Sequence, residues 1–157
     1  MTARACLWIP LEDASSAAAL WTSLVDGSRV LREVELRGAE GEVTRMIELE
    51  LAGAAFQIMG APRHEEPTMA ASISVTLPGQ AEIDRLWDGL LAEGGRELAC
   101  GWIVDPFGIH WQVVPEAFEE AMASGDEAAR QAAAEAIWGM VRIDDAAVRR
   151  AIAAAGA

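Results

Sequence analysis

The two halves of the chain carry the same landmarks in the same order, and this internal repeat constrains the fold more than any other feature. The landmarks are a strand ending in proline (residues 7–10 and 75–78), a helix with a Leu-Trp-x-x-Leu face (20–24 and 86–90) and a closing aromatic-Gln strand (56–60 and 111–115). Each match alone is weak, because amphipathic helices often place Leu and Trp on a packing face. Three matches in one order predict that the chain is built from two copies of one structural unit.

Alternating polar and apolar residues predict the remaining strands. In the first half, residues 29–37 and 42–51 form a hairpin around a turn at 38–41, and a short turn then leads into a strand over 55–60. The second half repeats the order strand, helix and three strands over residues 70–114. We therefore expect an α+β fold in which two βαβββ modules form a curled mixed sheet.

The predicted organisation is one domain followed by a helical tail. Its parts are module one at residues 1–60, a linker with two prolines at 61–68, module two at 69–115 and an Ala-rich helical tail at 116–157. Asp126 and Asp144 are the expected N-caps of two tail helices, because an Asp side chain accepts hydrogen bonds from the free N–H groups of a first turn. The tail is expected to cover the sheet or a subunit contact.

The charge balance excludes one class of partner. The chain has 12 Lys+Arg against 25 Asp+Glu, which gives a formal net charge of -13. Such a chain repels a phosphate backbone, so we expect no nucleic acid partner. No apolar run approaches the ~18 residues of a membrane span, and the N-terminus lacks a signal-peptide pattern, so we expect a cytoplasmic protein without membrane contact. Cys6 and Cys100 are expected to be reduced thiols.

Residues 100–115 (CGWIVDPFGIHWQVVP) carry a resemblance to a known family. They resemble the CGW-x-x-D-x-FG-x-x-WQ-x-VP signature of the PhnB-like branch of the vicinal oxygen chelate superfamily, which contains glyoxalases, bleomycin-resistance proteins and extradiol dioxygenases. Residues 20–30, 82–87 and 143–148 also resemble helices of this family. Members are often labelled 3-demethylubiquinone-9 3-methyltransferases. The chain shows no glycine-rich strand-turn-helix motif for a nucleoside cofactor, so we do not expect methyl transfer.

The resemblance implies that the concave side of each sheet binds a ligand, often around a divalent metal held by His, Glu or Gln. The matching positions are Arg4, Gln57, Ser72 and Gln112. Two amides, a hydroxyl and a cation offer little charge compensation to a divalent ion, so we expect neither a metal nor another cofactor. Glutamine can ligate metals, and a site of Gln57 and Gln112 with Glu48 or His110 remains the alternative.

The register of the strands decides which side chains accompany Gln57. A turn of two or four residues at 52–53 places Glu48 or Glu50 opposite Gln57. The same register puts Met46, Met59, Glu33 and Glu35 on this face and puts Val34, Leu36, Arg32 and Arg45 on the other. The expected result is an acidic, Met- and Trp-lined cleft for a cationic or aromatic molecule.

The candidate ligand-binding residues lie on the predicted cleft strands. They are Trp8, Glu48, Gln57, Met59, Trp102, His110 and Gln112. Gln57 and Gln112 would act as paired hydrogen-bonding anchors, whereas His64 is expected to be an exposed linker residue. In a simpler interpretation, the carboxylates form a solvated face and the tryptophans are packing residues. For Trp8, Trp102 and Trp111, packing and ligand binding are equally favoured. No catalytic residue is predicted.

Three functions remain open at this point. The favoured one is a metal-free small-molecule-binding protein, and a metal-dependent glyoxalase-like lyase, isomerase or dioxygenase is the first alternative. The second alternative is a structural or regulatory homodimer with no ligand. A homodimer is expected in any case, because each module has open sheet edges.

Overall fold

The computed structural model describes residues 3–62 and 66–156 of the chain. The prediction for His64 lies outside the described residues. The chain divides into two compact units, Met1–Pro67 and Thr68–Ala157, and the boundary falls within the predicted linker. Each unit is described by itself.

The first unit has the predicted βαβββ order. Its elements are β1 (Ala5–Pro10), α1 (Ala14–Leu24), β2 (Arg29–Arg37), β3 (Val43–Leu51) and β4 (Ala54–Ala61). They form a four-stranded sheet in the order β1-β4-β3-β2, in which β1 runs parallel to β4 and the other pairs are antiparallel. The hairpin of β2 and β3 and the short turn before β4 are both confirmed.

Helix α1 covers one face of this sheet. Trp21 on the helix and Ile47, Leu49 and Ile58 on the strands are fully buried. Burial of each such side chain contributes roughly 1.5–3 kcal/mol. The helix approaches β4 closely at Gly60, where an added Cβ would lie 2.6 Å from the Cβ of Ala14. Alternate strand residues therefore point away from the helix, toward the opposite face.

The second unit repeats the same order. Its elements are β5 (Ser72–Leu77), α2 (Gln80–Ala92), β6 (Arg96–Glu97), β7 (Trp102–Val104) and β8 (His110–Pro115), arranged in the sheet order β5-β8-β7-β6. The predicted α+β fold of two βαβββ modules is thus confirmed, with a separate mixed sheet in each module. Strand β6 has only two residues, and the chain turns after it at Cys100 and Gly101, which have φ values of 60° and 75°.

The turn between β7 and β8 is organised by one buried carboxylate. Asp105 accepts hydrogen bonds from the backbone N–H of Phe107 and Ile109, each at 2.9 Å, and from the Trp111 indole at 3.1 Å. Trp111 is fully buried. Of the three tryptophans with two balanced interpretations, Trp111 is therefore a packing residue under α2.

Three helices form the tail: α3 (Glu116–Ala123), α4 (Glu127–Trp138) and α5 (Asp145–Ala155). Asp126 accepts bonds from the N–H groups of residues 128 and 129, and Asp144 accepts one from residue 147, so both predicted caps are confirmed. Helix α3 contacts β8 and β5, which places the tail against the sheet. Among the described residues, none of the helices combines the length and apolar character that a membrane span requires.

Candidate functional site

The exposed face of the first sheet gathers the predicted residues of module one. The turn between β3 and β4 has two residues, 52–53, and Glu48 lies opposite Gln57, as predicted. On β1, Cys6 aligns with Gln57 and Trp8 aligns with Met59. Because side chains alternate along a strand, Trp8, Glu48, Gln57 and Met59 all point away from α1.

The prediction for β2 is wrong, because the hairpin turn is one residue longer than the sequence indicated. Residues 38–42 form the turn, which is closed by a bond of 2.9 Å from the Gly38 N–H to the Glu42 carbonyl. A shift of one residue exchanges the two faces of a strand. Arg32, Val34 and Leu36 consequently share the face of Gln57 and Glu48, whereas Glu33 and Glu35 point toward α1.

A bulge between Val30 and Arg32 then resets the register of β2. Arg29 aligns with Glu50 beyond the bulge, so Arg29 and Arg32 both reach the exposed face. Arg45, as predicted, lies on the helix side and must find polar partners there. Its guanidinium lies 3.4 Å from Glu33 and donates to the Ser15 hydroxyl at 3.0 Å.

The strand carboxylates on the exposed face of unit one are paired with arginines, which corrects the predicted acidic cleft. The Glu48 carboxylate lies 2.5 Å from Arg4 and 2.6 Å from Arg32, and Glu50 lies 2.7 Å from Arg29. Three guanidinium groups thus face two carboxylates. The pKa of Glu48 lies below its ordinary value, chiefly because Arg32 donates a hydrogen bond to the carboxylate. Desolvation opposes this shift, and a second hydrogen bond from Arg4 adds to it.

A cavity of about 670 Å³ lies at the other end of this face. Trp8, Thr44 and Ala61 line it together with Glu40 and Glu42 of the hairpin turn. Trp8 is 48% exposed. The contribution of the turn carries no signal in the sequence, because Glu40 and Glu42 are far from Trp8 along the chain and only the strand pairing brings them near.

The exposed face of the second sheet brings together the predicted residues of module two. Gln112 aligns with Trp102 on one side and with Ser74 on the other, and its amide donates to the Ser72 hydroxyl at 2.7 Å. His110 shares this face, as predicted, and its ring meets that of Trp102 edge-on with centroids 6.4 Å apart. His110 is nine-tenths buried, and its Nδ1 has no hydrogen-bond partner within the described part of the chain.

The donor atoms of these faces do not fit a divalent metal. Arg4 is a cation already paired with Glu48, and Glu48 is itself held by two guanidinium groups. The amides of Gln57 and Gln112 donate to Met59 and Ser72. Over residues 3–62 and 66–156, no group of three or more His, Cys, Asp or Glu side chains is placed to hold a metal ion. Neutral amides and a cation supply too little negative charge for such an ion.

The repeated βαβββ module, the order of each sheet and the exposed faces define a protein of the vicinal oxygen chelate superfamily. A putative 3-demethylubiquinone-9 3-methyltransferase, PhnB protein, from Bacillus cereus is 25% identical over 73% of this chain and 99% of its own, with a TM-score of 0.61. The fosfomycin resistance protein FosX from Listeria monocytogenes is 14% identical over 76% and 94%, with a TM-score of 0.56. FosX from Mesorhizobium loti is 12% identical over 73% and 90%, with a TM-score of 0.52.

Within this superfamily, the chain belongs to the family described as 3-demethylubiquinone-9 3-methyltransferase, whose model matches residues 2–114. The predicted resemblance to the PhnB-like branch is confirmed over this range. The match ends before the helical tail, so the likeness of residues 143–148 to a family helix remains a prediction. A search of curated proteins finds no match.

One FosX structure from Listeria monocytogenes holds Mn(II) and has a TM-score of 0.54 to this chain at 12% identity. At that identity the likeness shows the fold alone. The residues of the present chain argue against a metal, because Arg4 is a cation held in an ion pair.

Proposed function

We propose that this chain is a small-molecule-binding protein that works without a resident metal and holds its ligand on the exposed faces of its sheets. The observation that carries the proposal is the pairing of Arg4 with Glu48 at a position where the superfamily often places a metal ligand. A guanidinium at that position binds carboxylates and other anions rather than metal ions.

Other side chains on the exposed faces support binding rather than core packing. Trp8 leaves 48% of its surface exposed next to a cavity, although indole rings are usually buried in protein cores. Gln57 and Gln112 provide hydrogen-bonding groups on the two sheets. Pockets of this kind, with an aromatic wall and a few polar groups, are the usual form of small-molecule sites.

A homodimer is part of the proposal, as is a cytoplasmic location without membrane or nucleic acid partners. Strand β2 forms one edge of its sheet, and Val30, Leu31 and Leu36 on it are between 43% and 52% exposed. Exposed edge strands with apolar side chains favour association with another chain. The net charge of -13 argues against phosphate backbones.

Native mass spectrometry of freshly purified, tag-free protein tests the proposal. We expect a metal-free dimer that retains a small organic molecule. About one divalent metal per chain would overturn the metal-free binder and support the glyoxalase-like alternative. A metal-free dimer with no retained molecule, and with no hit in a ligand screen followed by tryptophan fluorescence, would instead support a structural or regulatory role. A monomer would contradict the dimer alone.

A further inference from the structure

We infer that the exposed face of the first sheet takes an amphipathic anion, with an apolar or aromatic body and one carboxylate-like or sulfonate-like group. This inference rests on the proposed small-molecule function and names the chemical class of its ligand. It follows from the way in which the strand pairing divides the face into a charged part and an apolar part.

The division follows two neighbouring rows of aligned residues. One row contains the charged residues Glu48 and Arg32 together with Cys6 and Gln57, and the other row is apolar and consists of Trp8, Met59, Met46 and Val34. The rows are two residues apart along each strand, which is roughly 7 Å at the usual rise of a β-strand. A molecule of the size of two fused rings can therefore contact both rows at once.

The charged part has spare capacity for an anion. Nη1 of Arg4 and Nη2 of Arg32 both contact the same oxygen, Oε1 of Glu48. A guanidinium carries five N–H donors, so one contact each leaves donors on both groups for a second acceptor. Arg4 is 32% exposed and Arg32 is 57% exposed. Around Glu48, two guanidinium groups face one carboxylate, so one positive charge remains there for a ligand.

The apolar part sets the orientation of the ligand. An apolar body on Trp8 and Met59 would extend into the cavity of about 670 Å³ beside Trp8. Glu40 and Glu42, which also line that cavity, would repel an anionic group placed there. The anionic group is therefore directed toward Arg4 and Arg32.

Three probes with one apolar body and different charges test the inference: 2-naphthoate, 2-naphthamide and 2-naphthylmethylammonium. Their affinities are measured by titration calorimetry on the full chain at fixed ionic strength. We expect 2-naphthoate to bind about tenfold more tightly than the neutral amide, because charge-assisted hydrogen bonds to guanidinium are stronger than neutral ones. The cation is expected to bind most weakly. Tightest binding by the cation would overturn the inference and place the charged group of the ligand beside Glu40 and Glu42.

Two substitutions with opposite expected effects separate binding from folding. Arg32→Gln removes a hydrogen-bond donor and is expected to lower the affinity for 2-naphthoate several-fold. Glu48→Gln removes the competing carboxylate and is expected to raise that affinity several-fold. A general loss of structure would weaken binding in both variants. The matched control is Arg37→Gln, because Arg37 lies on the same strand, pairs with Glu35 and points to the other face, and it is expected to leave the affinity unchanged.

The outcomes also separate this inference from the proposed function. Weaker 2-naphthoate binding in a Glu48→Gln variant that stays folded by circular dichroism, or equal binding of all three probes, would overturn the inference of an anionic ligand and leave small-molecule binding in place. If none of the probes binds, the inference is overturned, and native mass spectrometry then decides whether the proposed function survives.

Discussion

A single carboxylate, that of Glu48, holds two guanidinium groups on the exposed face of β3. Its pKa is lowered in the folded protein, chiefly by the hydrogen bond from Arg32, relative to an ordinary value of 4.5. A group with a lowered pKa in the folded state adds stability above its unfolded pKa, and this contribution disappears as the pH falls through the folded pKa.

We therefore expect Glu48→Gln to be less stable than the wild type at pH 7, with a difference that shrinks once the pH falls below 4.5. Urea unfolding of both proteins across this range measures the difference. Glu40→Gln, on the exposed hairpin turn, is the control at pH 7 and should stay close to the wild type. A stability difference that stays constant into acid would show that the charge of Glu48 contributes nothing.

Asp105 illustrates a second kind of polar residue, one that serves the fold. Its carboxylate accepts three hydrogen bonds within a buried turn. Asp105→Ala leaves these donors without their acceptor, and we expect a loss of roughly 3 kcal/mol in the free energy of unfolding. Asp126→Ala, which removes an exposed helix cap, should cost about 1 kcal/mol in the same urea experiment. Equal losses in the two variants would contradict the structural role of Asp105.

At the scale of elements, the alternation of polar and apolar residues was sufficient to place the strands. Strand β2 has the predicted bounds, β3 begins one residue later than predicted, and β4 is one residue longer at each end. The faces of β2 could not be obtained in this way, because they depend on whether Glu42 belongs to the turn or to the strand. A single residue in that turn moved Arg32 to the exposed face and Glu33 to the helix side.

The placement of Glu48 opposite Gln57 was predictable because its register rests on a two-residue turn. The ion pairs of Arg4 and Arg32 with Glu48 depend on contacts between residues far apart in sequence. Trp111 could not be assigned from its strand alone, since its partner Asp105 is part of a turn motif whose geometry appears only in the fold.

The turn at Cys100 and Gly101 lies between β6 and β7 of the second sheet and packs against the tail. At Gly101, with φ of 75°, an added Cβ would lie 2.8 Å from the Val113 carbonyl and 2.9 Å from Cγ1 of Ile143. Gly101→Ala is expected to lower the free energy of unfolding by about 2 kcal/mol, because both the backbone angle and the space disfavour a side chain.

Gly139→Ala is the matched control for this substitution, because an added Cβ there meets nothing within 4 Å. We expect it to be neutral or slightly stabilising in the same urea unfolding experiment. A neutral Gly101→Ala variant would show that the turn can rearrange without cost.

At the scale of the whole molecule, the tail lies outside the family match and yet is tied to α2 by direct bonds. Gln80 of α2 donates to the Ile143 carbonyl and accepts from the N–H of Asp145. Arg142 pairs with Asp84 and lies 5.8 Å from the centre of the Trp87 ring. The family match ends at residue 114, and these contacts join residues that lie on either side of that limit.

We expect Ile143→Ala to loosen α2 together with α5, since Ile143 is buried and lies in the small core of the tail. Removal of a buried Ile side chain costs roughly 2–5 kcal/mol. Hydrogen exchange measured by mass spectrometry should show faster exchange in both helices. Val141→Ala, at an exposed neighbouring position, should leave the exchange unchanged. Faster exchange in α5 alone would mean that the tail unfolds independently.

The bulge in β2 also affects which changes in chain length this protein can accept. Val30 aligns with Leu49 and Arg32 aligns with Glu48, so Leu31 is the extra residue between two consecutive pairs. Deletion of Leu31 would turn the strand into a regular one and keep both flanking alignments. Deletion of a residue elsewhere in the paired strand would transfer part of its side chains to the opposite face. Leu31 is thus the position at which related sequences can vary in length while the arginines stay with their glutamates.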